Sequence, residues 1–309
     1  MKKKRIQYNE LNEEVYNIKN WKLPHFLIIA LILFFIGFLF NLALEEKIRK
    51  SLSEILGKNE SCPILFEKLN LAFFPPKIKL QNVIVEGSCF NHRNNNLPLE
   101  EINFGLILPS FSPLGIKFKF HIQDKNLKLN AYPILGFNSQ YLMIEESFLN
   151  SEILKVYSED FRPVILGGFQ IEANLTFKSG FIEEGNINLK SKNFILPAQN
   201  LKGFDIMTIP LNQFKFEANF ENKSLLKITQ FTIGGNDRPL LLNLKGPLNV
   251  IPENFLGSSL NLSGTLKLAP DFLANFSFLK LFLPNPRANG IYNMKLTGPL
   301  NNLSAPKFE

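Results

Sequence analysis

Residues 64–85 read ILFEKLNLAFFPPKIKLQNVIV and set the pattern for most of this chain. Apolar and polar residues alternate on both sides of Pro75-Pro76, which is the period of a strand with one face in a core. Proline is a common turn residue because its ring fixes φ. The stretch therefore predicts two antiparallel strands joined by a turn centred between Pro75 and Pro76.

The two cysteines of the chain, Cys62 and Cys89, flank this hairpin. With that turn centre the numbers of opposed residues sum to 151, and 62 and 89 have that sum. Opposed Cα atoms lie roughly 4.5–5.5 Å apart, a separation that a disulfide can bridge. The spacing predicts a Cys62–Cys89 disulfide in an oxidising compartment, whereas a bulge would shift the register and leave two buried thiols.

Strand-like segments continue to the end of the chain, separated by Gly, Asn and Pro turns. This spacing is typical of a mainly β protein built as an antiparallel meander. Two segments, 147–157 and 271–282, favour short helices instead. The predicted strands after the first hairpin are 102–108, 116–123, 127–131, 140–145, 167–178, 181–190, 213–221, 225–234, 240–245, 260–268 and 291–296.

A short repeat lies in the second half of the chain. Residues 242–249 read LNLKGPLN, and residues 294–301 read MKLTGPLN. We interpret the unit as a strand that ends in a glycine turn, repeated within one long sheet.

Upstream of the strands, the run from Phe26 to Leu44 contains no charged residue. About 19 residues at 1.5 Å per residue span roughly 29 Å, the thickness of a hydrocarbon core. The run predicts a transmembrane helix over 23–45, between a basic tail (1–22) and one large domain (46–309). The predicted anchor positions are Phe26, Leu31, Phe35, Leu39 and Leu44.

The orientation of this anchor follows from Lys and Arg. Six of them precede the run and four follow it closely, which favours a cytoplasmic N-terminus. A cleaved signal peptide is the alternative, but the run is longer than an ordinary h-region and ends without an A-x-A site. Directly after the run, apolar residues at helical spacing from Leu44 to Leu56 predict an amphipathic helix that ends at Gly57.

No catalytic motif is present. The three histidines form no H-x-x-x-H or H-E-x-x-H pattern, and the chain has no G-x-S-x-G, P-loop or dinucleotide fingerprint. The net charge of +7 is not gathered into a basic cluster with interleaved aromatics, so nucleic-acid binding is not expected. The sequence predicts a non-enzymatic protein with no catalytic, cofactor-binding or metal-binding residues.

Two segments carry a resemblance to a known family. Residues 69–85, LNLAFFPPKIKLQNVIV, resemble the opening of AsmA-like proteins, and residues 290–306, GIYNMKLTGPLNNLSAP, resemble their C-terminal end. In length and layout the chain is most similar to the type II secretion system protein N branch. The resemblance implies a bacterial inner-membrane protein whose periplasmic domain is a long curved antiparallel sheet, forming a groove or a partly open barrel, with no catalytic residues.

Two functions follow as expectations. The first is an accessory or scaffold component of a type II secretion system, which binds other subunits through sheet edges. The second is a lipid-binding or lipid-transfer protein, in which a face rich in the 31 Phe residues holds acyl chains. Both place the N-terminus in the cytoplasm and the large domain in the periplasm.

Overall fold

The structure is a computed structural model. It divides into two compact units, Met1–Leu52 and Ser53–Glu309. Within them the described residues are 23–41, 44–59, 61–73, 75–90, 96–107, 109–153, 164–201, 204–276, 279, 281, 283–284 and 290–308. The predicted tail, 1–22, lies outside these residues.

Two helices open the described chain. Helix α1 spans Leu23–Asn41, and its side chains are exposed from Pro24 to Phe38. No helix among the described residues is both long and apolar enough to cross a membrane. The span over 23–45 stays a prediction, and residues 42–43 of it lie outside the described residues. Helix α2 covers Leu44–Gly57, which confirms the predicted amphipathic helix and its end at glycine.

One antiparallel sheet of fifteen strands dominates the second unit. In sheet order the strands are β1 (Ile64–Phe73), β2 (Pro76–Val85), β3 (Leu97–Leu106), β5 (Leu114–Asp124), β6 (Leu127–Gly136), β7 (Gln140–Asn150), β8 (Gly168–Lys178), β9 (Phe181–Leu196), β12 (Ile209–Asn222), β13 (Leu225–Gly234), β14 (Leu240–Asn249), β15 (Ser259–Leu268), β16 (Ile291–Pro299) and β17 (Lys307–Phe308). Strand β4 (Ser110–Phe111) pairs with β5, while β10 (Gln199–Leu201) and β11 (Phe204–Ile206) form a separate two-stranded sheet.

This architecture confirms the mainly β, antiparallel prediction. The sheet is not closed, since β1 and β17 each have one neighbour in it. Sequence neighbours pair with each other almost throughout, as expected of a meander. The helix predicted over 147–157 is wrong at its start, because β7 continues to Asn150; residues 151–153 are helical, and 154–157 lie outside the described residues.

The first hairpin forms with a register different from the predicted one. Ile64 pairs with Val85 and Phe73 with Pro76, so partner numbers sum to 149 rather than 151. The turn is one residue earlier than predicted because Pro76 already belongs to β2. Extended by two residues, this register does not bring Cys62 opposite Cys89.

The structure nevertheless joins Cys62 and Cys89 in a disulfide, with Sγ atoms 2.09 Å apart. The 3₁₀ turn Gly87–Phe90 follows β2 and turns the chain back toward the start of β1. Two backbone bonds hold this turn: Glu86 N donates to Pro63 O (3.1 Å), and Cys89 N donates to Glu86 O (3.0 Å). A turn beyond the ladder, and not the ladder itself, brings the two cysteines together.

Among the described residues of the C-terminal half, two apolar clusters belong to the core. One lies on β12–β16 and includes Ala218, Leu244 and Leu262, each at most 4% exposed. The other contains Phe169, Phe194, Ile209 and Leu211. Helix α3 (Pro270–Asn275) packs on the second cluster through Phe272 and Phe276. The helix predicted over 271–282 therefore packs against the sheet as expected through its first part, and residues 277, 278, 280 and 282 lie outside the described residues.

The turns of the meander fall at two ends of the sheet. The proximal end holds the Cys62–Cys89 disulfide and the β5–β6 turn at 124–127. The distal end holds the β1–β2 turn between Phe73 and Pro76, the β4–β5 turn and the β6–β7 turn at 136–140. The strands are about ten residues long, which places the two ends roughly 30 Å apart.

Candidate functional site

The candidate site is one face of the sheet, on which cross-strand partners form a continuous line of apolar residues. Residues paired in an antiparallel ladder point to the same face. We name this line the apolar row. It crosses eleven strands, from β1 to β14, through Leu71, Ile78, Phe104, Phe120, Ala131, Ile144, Ala173, Ile187, Ala218, Ile228 and Gly246. Ten steps of about 4.8 Å give it a length of roughly 48 Å.

Alternation along the strands, reset at β-bulges such as the one between Ile228 and Phe231 of β13, produces this face. In β12, Phe214, Phe216 and Phe220 share a face with Ala218, while Lys215, Glu217, Asn219 and Glu221 occupy the other. Phenylalanine rings continue the face across strands. The ring centroids of Phe169 and Phe214 lie 5.6 Å apart, and those of Phe214 and Phe231 lie 5.8 Å apart, both edge-to-face.

Exposure changes along the row. Ala218 and Ile228 are 1% and 5% exposed and belong to the β12–β16 cluster, and Ala173 on β8 is 3% exposed. Phe104, toward the β1 side, is 42% exposed and stacks on Phe118 at 5.4 Å. The row therefore has a part filled by the protein's own side chains and a part, around β3, where apolar surface meets solvent.

The opposite face carries a polar network on β2, β3, β5 and β6. Lys79, Asn103, His121 and Asn130 are successive cross-strand partners. His121 Nδ1 and Asn130 Oδ1 lie 2.7 Å apart, and Asn130 N donates to Ser147 Oγ at 2.9 Å. The network ties neighbouring strands together and makes the face opposite the row polar at these positions.

Glu101 is the charged centre of this network. It forms an ion pair with Lys79 and accepts a hydrogen bond from Asn103 Nδ2. Burial raises the pKa of Glu101, but the bonds from Lys79 and Asn103 and the charges of Lys79 and His121 outweigh burial and hold its pKa below the ordinary value. The carboxylate is therefore ionised at neutral pH and acts as a structural acceptor.

The predicted anchor residues lie on the two N-terminal helices. Phe26, Leu31 and Phe35 are on α1 and are 55%, 65% and 60% exposed. Leu39 belongs to α1 and Leu44 begins α2, but their side chains lie outside the described part of the structure.

The described residues show no cluster of three or more His, Cys, Asp or Glu side chains able to hold a metal ion. Of the histidines, His121 lies in the polar network, His25 is on α1, and His92 lies outside the described residues. The absence of an enzymatic site stays a prediction.

Sequence reasoning missed the apolar row and the polar network, since both depend on register between strands. The available signal was the alternation itself, which is clear in β5, where Ile116, Phe118 and Phe120 alternate with Lys117, Lys119 and His121. In comparison with known proteins, the chain matches no family model, no curated protein and no solved structure.

Proposed function

We propose that this chain is a non-enzymatic protein of the bacterial envelope that binds lipid acyl chains along the apolar row. The single observation that carries the proposal is the unbroken apolar line across eleven strands, with exposed apolar surface at Phe104. An acyl chain needs apolar contact along its length and few polar partners, which such a line provides. From the AsmA-like resemblance, the same proposal places the large domain in the periplasm, anchors the chain in the inner membrane and gives the sheet the shape of a curved groove.

A lipid-trapping experiment tests this function. Cells that express the full chain are fed a photoactivatable fatty acid and irradiated, and the purified chain is analysed for attached lipid. Phe104→Asn removes exposed apolar area from the row, so we expect trapped lipid to fall about fivefold. Lys128→Asn is the matched control, because Lys128 is exposed on β6, on the face opposite the row, and should leave trapping unchanged.

A trapped lipid that does not depend on Phe104, or no trapped lipid at all, would contradict lipid binding in the row. Peptide mapping adds a second criterion, since the attachment sites should fall on apolar-face residues of β2–β6. Attachment confined to 23–41 would instead report lipid around α1.

A second candidate is the accessory or scaffold role in a type II protein secretion system, which the family resemblance implies. The observation that favours it is the edge strand β1, which pairs with β2 alone in the sheet over Ile64–Phe73. An open edge offers backbone donors and acceptors to a partner strand. The partners would then be other subunits of the secretion system.

Site-specific photo-crosslinking separates this candidate from the first. A photo-crosslinking amino acid at Lys68, exposed on β1, should capture a secretion subunit in cells. The same amino acid at Lys245, exposed on the interior strand β14, should capture none. Equal capture at both positions, or undiminished secretion after deletion of the gene, would oppose the scaffold role without affecting the lipid experiment.

A further inference from the structure

Large apolar side chains project from the distal end of the sheet between β4 and β7. Five of them are at least half exposed: Phe111 (86%), Leu114 (59%), Ile116 (51%), Leu135 (50%) and Phe137 (89%). We name this set the distal patch. Single exposed apolar residues are ordinary on protein surfaces, but five on adjoining hairpins mark a contact surface.

The register shows that these residues are neighbours. Phe111 pairs with Leu114 across the β4–β5 turn, and Ile116 pairs with Leu135 between β5 and β6. Phe137 follows β6 in the β6–β7 turn, beyond the last paired residues. The patch thus covers the tips of two adjacent hairpins.

The charge around the patch has one sign. Between Ile102 and Gln123 there is no Asp or Glu, and residues 129–144 carry no Asp, Glu, Lys or Arg. Lys117 and Lys119 lie on β5, and Lys77 and Lys119 flank Gly105 in the cross-strand ladder. In the described part of the chain, no carboxylate lies within 4.0 Å of these three lysines.

The proximal end of strands β5 and β6 differs from the distal patch in charge and in apolar exposure. The β5–β6 turn at the proximal end contains Asp124, Lys125 and Asn126, with both signs of charge, and exposes no large apolar side chain. The combination of exposed apolar tips and uncompensated lysines is therefore a property of the distal end of this region and not of its turns in general.

We infer that the distal patch inserts into the surface of an anionic lipid bilayer. Apolar side chains at the tips enter the boundary between headgroups and acyl chains, while lysines just behind them meet the anionic headgroups. A flat bilayer accepts two separate tips without shape matching, and its negative charge complements Lys77, Lys117 and Lys119. This inference concerns a contact with a bilayer surface and does not rest on lipid occupancy of the apolar row.

The test places a fluorophore at the patch. The full chain is kept in amphipol, which covers α1, and Asn138→Cys carries an environment-sensitive NBD label with the Cys62–Cys89 disulfide intact. On vesicles of phosphatidylcholine with about 30% phosphatidylglycerol, we expect NBD emission to rise about twofold and shift to the blue. The matched control is the label at Lys125→Cys in the proximal turn, which should not respond.

Two double variants separate the apolar contribution to vesicle binding from the electrostatic one. Phe111→Ser with Phe137→Ser should weaken vesicle binding about tenfold or more, through lost apolar insertion. Lys117→Gln with Lys119→Gln should weaken it about tenfold on anionic vesicles. Lys119 is exposed, and Lys117 is half-buried with its Nζ 4.7 Å from the centroid of the Tyr132 ring. The lysine pair keeps the test decisive if the phenylalanine pair does not fold.

Several outcomes would overturn the inference. They are no response at position 138, an equal response at position 125, an equal response on pure phosphatidylcholine, and a vesicle-independent response that grows with protein concentration. The last would assign the patch to self-association of the chain.

Discussion

At Gly246 a residue with a side chain would collide with the next strand. Its φ is +148°, and a Cβ atom there would lie 2.2 Å from the carbonyl oxygen of Asn261. Gly246→Ala should therefore lower the free energy of unfolding by at least about 2 kcal/mol, measured by urea denaturation. The control is Gly180→Ala, where φ is +82° but no atom lies within 4 Å, and the loss should be about 1 kcal/mol. Equal losses would mean that close approach of β15 does not restrict position 246.

Glu101 provides the second prediction at this scale. Its pKa is lowered in the folded state, so its ionised form contributes stability above the unfolded pKa. That stability is lost as the pH falls through the folded pKa, which lies below the ordinary carboxyl value. Glu101→Gln should reduce stability at pH 7 and flatten the acid-side decline in thermal melting temperature. Glu100→Gln, an exposed neighbour, should leave the decline unchanged.

At the scale of elements, the disulfide fastens the 3₁₀ turn to the start of β1. We expect both cysteines to be oxidised in mature protein, so that thiol alkylation before reduction adds no mass. Cys62→Ser with Cys89→Ser should lower the free energy of unfolding by about 2–3 kcal/mol, because the crosslink restricts the unfolded chain. Reduced wild-type protein should match the double variant, and alkylation without reduction would show that the pair is not closed in the cell.

The same hairpin shows what the sequence can and cannot predict about elements. Alternation from Ile64 to Val85 predicts both strands, since the period of a strand is local. Register is not local: whether Pro76 lies in the turn or in β2 changes every pair by two residues, and only packing decides it. The helix expected at 147–157 failed for a similar reason, because pairing with β6 and β8 keeps Ser147–Asn150 extended.

The repeat is a second case. It predicted a glycine turn after each strand, yet Gly246 lies inside β14, which continues to Asn249. Glycine is present there because the neighbouring backbone approaches closely. A residue pattern can mark such a position, but the reason for it appears only once β14 and β15 are paired.

For the whole molecule, the main feature is that each strand interacts chiefly with its neighbours, as in a repeat protein. The apolar row depends on ten successive registers, none of which can be deduced from composition. The alternation predicted strands with one face in a core. It could not show that the face runs unbroken across eleven strands, or that it is buried at Ala218 and open at Phe104.

This arrangement predicts that damage to the sheet stays local. Ala218 is 1% exposed in the β12–β16 cluster, so Ala218→Asp buries a charge and should disrupt that cluster. Hydrogen exchange of the full chain should show lost protection in β9 and β12–β16, with protection retained in β1–β3, which share no cluster with Ala218. Asn219→Asp, on the opposite face, is the matched control and should change little. Protection lost uniformly from β1 to β16 would show that the sheet unfolds as one cooperative unit, and that coupling extends beyond neighbouring strands.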